Sequence, residues 1–156
     1  MPRWNHVLIV LMMAVVLTAC GNDPIVEDLA TFDGIGTAAM LGLSPAEMNK
    51  KLLAAKTDED RAAALGDFAT KLEKHTQSFS GFTPRTAEVK ALRDAAINGF
   101  KQSAAGAREA QQAFANKDFA ALQAASQKMS DGQTTILQMG RDFNKLAKEK
   151  GYQPDK

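Results

Sequence analysis

An all-α fold is what this sequence predicts: an antiparallel up-and-down bundle of about four helices, the first of them broken, over residues 25–151. Two observations carry the expectation. Between residues 20 and 156 there are 25 alanines, few β-branched residues and no alternating polar–apolar runs. Alanine is the best helix former, so local propensity favours helix along nearly the whole stretch. In addition, apolar and small residues recur every seven positions through the second half of the chain, which lays one stripe of each helix against its neighbours.

The elements follow from their starts and stops, which bound helices at 24–43, 45–55, 58–80, 84–115 and 119–150. Ser44-Pro45-Ala46-Glu47 has the pattern of a capping box, with Pro45 at the first helical position, and Gly42 to Pro45 break the first helix. Thr57 can cap the next segment, with Asp58, Glu59 and Asp60 favouring the positive end of its dipole. Gly81 ends that helix, and Thr83 before Pro84 is the expected cap of the following one. Asn116 suits a left-handed stop and Asp118 a cap. Gly151 and Pro154 close the last helix after Lys145, Lys148 and Lys150.

Three seams can be written down. The first is Leu65, Phe68, Leu72, His75, Phe79 and Phe82. The second is Val89, Leu92, Ala96, Gly99, Ser103, Gly106, Ala110 and Ala113, flanked by Phe100, Ala107 and Phe114. The third is Phe119, Leu122, Ser126, Met129, Gln133, Ile136, Gly140, Phe143 and Ala147. The very small residues of the second seam predict close approach of a neighbouring helix. Short connections between long helices force antiparallel neighbours. A longer coiled coil that dimerises is the structural alternative.

Residues 1–20 read differently. Arg3 is followed by an unbroken apolar run from Val7 to Leu17, which as a helix spans only about 16 Å, half a bilayer core. That suits a signal peptide rather than a permanent span. Leu17-Thr18-Ala19-Cys20 then places an aliphatic residue, two small residues and a cysteine in order. This resembles the lipobox of bacterial lipoproteins. The resemblance implies a signal peptide over residues 1–19, cleavage before Cys20, and lipid on the Cys20 thiol. It also implies a membrane partner reached through that lipid. Several acyl chains hold firmly where one binds marginally. Residues 20–24 form the lipidated cysteine and a short tether, and residues 152–156 a C-terminal tail. Gly21 stands where enteric bacteria use Asp to retain lipoproteins in the inner membrane. The analogy therefore points to the outer membrane, facing the periplasm, with the inner membrane and the cell surface as alternatives.

Charge and cysteine content narrow the function. The chain has 19 basic and 18 acidic side chains, and removing the leader takes away Arg3 and no acid, so the remainder is balanced. A nucleic-acid binder needs a basic stripe, and none is expected here. Cys20 is the only cysteine, which excludes an intrachain disulfide and multi-thiolate zinc sites.

His75 is the only histidine after the leader and falls on an inward seam. As a haem or metal ligand it would need Met40, Met48, Met129 or Met139 opposite. The pattern departs from that of bundle cytochromes, which carry Met and His on opposite terminal helices, because the last helix here has no histidine. No Glu-x-x-His pair precedes it. The plainer expectation is a boundary histidine whose ring packs while one nitrogen reaches water or Glu73. The four methionines are not clustered as a soft-metal site requires. Asp33-Gly34-Ile35-Gly36 lacks the strand and lysine of a phosphate loop and reads as a bend or a close helix contact. No catalytic residue, cofactor or metal site is expected, and no enzymatic activity. The expected role is a membrane-anchored module that docks an envelope protein. The alternative is a bundle holding a small apolar ligand, lipid or haem, in a tunnel lined by Phe, Met and Ala.

Overall fold

The computed structural model describes residues 23–43 and 45–153. The leader, the Leu17-Thr18-Ala19-Cys20 motif, the Ser44 cap, the Met40 side chain and Pro154 all lie outside the described residues. Within them the helices are α1 (Pro24–Gly42), α2 (Pro45–Ala54), α3 (Asp58–Ser80), α4 (Ala87–Asn116) and α5 (Phe119–Glu149). The bundle is all-α, with the expected first helix present as the pair α1 and α2.

Local chemistry explains most of the ends. Asp23 Oδ1 accepts the Ile25 amide at 3.1 Å, and Pro24 occupies the first helical position, where its missing N–H costs nothing. Thr57 and Asp60 form a reciprocal box: the Asp60 amide donates to Thr57 Oγ1 at 3.1 Å, and the Thr57 amide donates to Asp60 Oδ2 at 3.3 Å. Asp118 accepts the Ala121 amide at 3.0 Å and caps α5. At the far end of α5, Gly151 takes φ 67°, the Tyr152 amide donates to Ala147 O and the Gly151 amide to Lys148 O. That is a Schellman stop on a glycine.

Two ends differ from the sequence expectation. The same Schellman pattern ends α4, but the left-handed residue is Lys117 (φ 56°, ψ 33°), and Asn116 is the last helical residue. The α4 start is also later than expected, at Ala87 with Thr86 as its N-cap. Thr83 does not cap it, because the Arg85 and Thr86 amides are taken by the Asp28 carboxylate of α1.

The pairings along α3, α4 and α5 run in opposite directions. Gly66 lies beside Gln111, Glu73 beside Arg108 and Phe79 beside Phe100; Gly106 lies beside Ala125, Ser103 beside Met129 and Gly99 beside Ile136. Both helix pairs are therefore antiparallel. α4 is the central element, packed along its length on α3 and on α5, while α1 lies across all three and α2 rests on α3 alone.

The α4 seam is buried at every position the heptad spacing picks out, from Val89 to Ala113. A Cβ added to Gly106 would stand 2.8 Å from Ala125 O and from Met129 N, and one added to Gly132 would stand 2.7 Å from Gly99 O and from Ser103 N. The two backbones therefore touch where the glycines are. On α5 the stripe differs from the one written above. Ala125 and Gly132 are buried while Ser126 and Gln133 are exposed, and Phe119 is 78 % exposed. The touching backbones leave room only for the smaller member of each adjacent pair.

Gly34 and Gly36 sit in unbroken helix, and a Cβ on either would meet nothing within 4 Å. They mark neither a bend nor a close contact. The core is held instead by a row of rings crossing every long helix. Phe32 of α1 lies 5.6 Å from Phe143 and 5.1 Å from Phe79; Phe79 lies 5.7 Å from Phe100. Each such pair adds about 0.5–1.5 kcal/mol beyond the burial of its area.

Candidate functional site

Several of the groups able to do chemistry have structural tasks. His75 faces the α4 side of α3, with its ring 6.0 Å from that of Phe100. Burial lowers its pKa from the ordinary histidine value, and the neighbouring Lys74 and Lys71 lower it further, which favours the neutral ring. Glu73 is not its partner. Arg108 of α4 grips Glu73 with two hydrogen bonds, Nε to Oε1 at 3.0 Å and Nη2 to Oε2 at 2.9 Å. Those bonds outweigh the burial cost and hold the Glu73 carboxyl below its ordinary pKa.

Among the described residues the most enclosed acid is Asp28, which is 4 % exposed. Its Oδ2 accepts the Arg85 amide at 2.8 Å, the Thr86 amide at 2.8 Å and the Thr86 hydroxyl at 2.7 Å. The Arg85 guanidinium stands 3.6 Å from Oδ1 and also binds Glu27. Burial pushes the Asp28 carboxyl up, but the three hydrogen bonds and the arginine charge together overcome it and leave the pKa lowered. Asp28 thus supplies, from another helix, the anionic cap that α4 lacks in its own sequence. Sequence spacing gave no sign of it, since 57 residues separate the partners. A second long-range tie was equally hidden: Tyr152 donates its hydroxyl to Asp33 Oδ2 at 3.0 Å, with its ring edge-on to Phe143.

Among the described residues no three of His, Cys, Asp and Glu converge as a metal-ligand set. No described helix is long and apolar enough to cross a membrane. The space between the helices is filled: Leu29, Ala69, Val89, Ala96 and Ala107 have no exposed surface. Two open grooves flank α1 on the surface. The one toward α5, about 650 Å³, runs past Phe32, Gly36, Ile136, Leu137 and Gly140. The one toward α3, about 690 Å³, has Ile35, Ala38 and Ala39 along one side and Lys71, Lys74 and His75 along the other.

A family model described as "Uncharacterised lipoprotein PM1805" matches residues 26–150. The chain belongs to that lipoprotein family. The match spans the helical body and stops short of the leader, so the body and the Cys20 motif are separate stretches that agree. Membership in the PM1805 family makes the protein a bacterial lipoprotein of the envelope, associated with a membrane through lipid. Neither the comparison with curated proteins nor that with solved structures gives a match.

Proposed function

We propose that this lipoprotein carries its lipid on Cys20, sits in the outer membrane facing the periplasm, and works without catalysis as a docking module for an envelope protein. The observation that carries the proposal is the agreement of two non-overlapping stretches. Leu17, Thr18, Ala19 and Cys20 form the attachment motif, and the body from residue 26 to 150 matches a lipoprotein family. The duties of the polar groups support the non-enzymatic reading. Asp28, Asp60 and Asp118 cap helices, and Glu73 is neutralised by Arg108. Catalysis by acid–base or nucleophilic groups needs several of them aimed at one point. The two grooves beside α1 lie on the surface, where a partner can reach them. Labelling growing cells with radioactive palmitate tests the proposal. Wild-type protein should take up label and fractionate with the outer membrane, while Cys20→Ser should remain unlabelled. Equal labelling of both, or none of either, would overturn it.

A further inference from the structure

The groove between α1 and α3 combines features that nothing in the docking role requires. Its floor is apolar, formed by Ile35, Ala38 and Ala39, and no carboxylate lines it. Its α3 wall presents Lys71 and Lys74, neither of which joins an ion pair among the described residues, although Arg61, Arg85, Arg93, Arg108 and Lys128 each do. The hydroxyls at its margin are spent on their own helix turns: Thr31 donates to Glu27 O at 3.0 Å and Ser78 to Lys74 O at 3.2 Å. Recognition at this site is therefore cationic beside apolar, the pattern that suits an anionic amphiphile. Its volume of about 690 Å³ lies within the range of about 300–1,000 Å³ that small-molecule sites occupy.

We propose that this groove binds the anionic headgroup of a phospholipid in the leaflet that holds the anchor, with Lys71 and Lys74 on the phosphate and the α1 floor against the first acyl carbons. The proposal rests on lipid attachment at Cys20. The four Cα–Cα steps from Cys20 to Pro24 reach at most about 14 Å, and Thr31 lies a further ~10 Å along α1. The mouth of the groove is thus within tether reach of the headgroup layer. Anionic surfaces draw lysines that come near them. Around His75 the charged groups are Lys71 and Lys74 on its own helix; α4 faces it with Phe100, and α1 brings no charged residue into the groove. His75 is also the only histidine left once residues 1–19 are removed, so it reports cleanly on the field in the groove.

The test is an NMR pH titration of His75 in the acylated protein, its palmitate label first verified, embedded in nanodiscs. Discs of phosphatidylcholine alone are compared with discs of phosphatidylcholine and phosphatidylglycerol in equal parts. A bound phosphate offsets the two lysines, so the His75 midpoint should move to higher pH in the anionic discs. In Lys71→Gln/Lys74→Gln the difference between the discs should vanish. Both side chains are exposed, so the variant keeps its fold. Three results overturn the proposal: an identical midpoint in both discs, a difference that persists in the double variant, and a full shift produced in neutral discs by inorganic phosphate or by an acidic peptide. Protein that carries no palmitate would instead sink the anchor on which the idea depends.

Discussion

Replacing Gly106 by alanine puts a Cβ 2.8 Å from the Ala125 carbonyl oxygen, 2.8 Å from the Met129 amide nitrogen and 2.7 Å from Met129 Cγ. The methionine side chain can swing away, but the two backbone atoms belong to a helix packed along its whole length. The α4–α5 spacing must therefore open. Overpacking of this kind costs about 1–3 kcal/mol, and contact with backbone belongs at the upper end, about 3 kcal/mol. Alanine returns about 1 kcal/mol through better helix propensity. The net expectation is a loss of about 2 kcal/mol, or a fall in Tm of roughly 8 °C for a body of this size. Gly140→Ala is the matched control, since a Cβ there meets nothing within 4 Å. It should gain about 0.5–1 kcal/mol from propensity alone. Urea and thermal unfolding followed by circular dichroism give both numbers. If Gly106→Ala were as stable as Gly140→Ala, the backbone contact at the centre of the bundle would be refuted.

Asp28→Ala leaves two amides and a hydroxyl near the α4 start without their acceptor, and stability should fall by about 2 kcal/mol. Hydrogen exchange should show the loss as fraying of the first α4 turn. The pKa of Asp28 is lowered in the folded state, so its stabilisation is complete above the ordinary carboxylate value of about 3.9 and is lost as pH falls through the lower folded value. Asp28→Asn should accordingly flatten the acid limb of a stability-versus-pH profile, and an unchanged limb would contradict the assignment. Lys117→Gly relieves a left-handed conformation held by a residue with a Cβ, and should add about 1 kcal/mol in urea unfolding. His75 has a lowered pKa in the fold, so its contribution is whole above the ordinary value near 6.5 and declines as pH drops toward the folded one. Its ring resonance should titrate below that of free histidine in neutral detergent.

How far the fold could be read depended on the range of each interaction. The Thr57 cap, the Asp118 cap and the Gly151 stop lie within a few residues of their partners, and local spacing exposes them. The α4 stripe was legible for a related reason: a central helix buries its seam at every turn, so Val89 through Ala113 show the full period. On α5 a seven-residue period alone does not say whether the intervening position falls three or four residues on. The touching backbones at Gly99 and Gly106 decide for Ala125 and Gly132. Lys117 rather than Asn116 takes the left-handed position, a displacement of one residue that composition cannot resolve. The Asp28 clamp and the Tyr152–Asp33 tie were not legible at all, because their partners meet only once the bundle is assembled. The grooves beside α1 were hidden too: Gly34 and Gly36 suggested a bend or a close contact, whereas they sit in unbroken helix beside open space.

The intact mass of the protein extracted from cell membranes addresses the lipid anchor most directly. The expected species is a chain that begins at Cys20 and carries the added mass of a diacylglyceryl group, with or without a further acyl chain. A mass equal to the unmodified chain from Met1, or to a cleaved chain with a free Cys20 thiol, would contradict it.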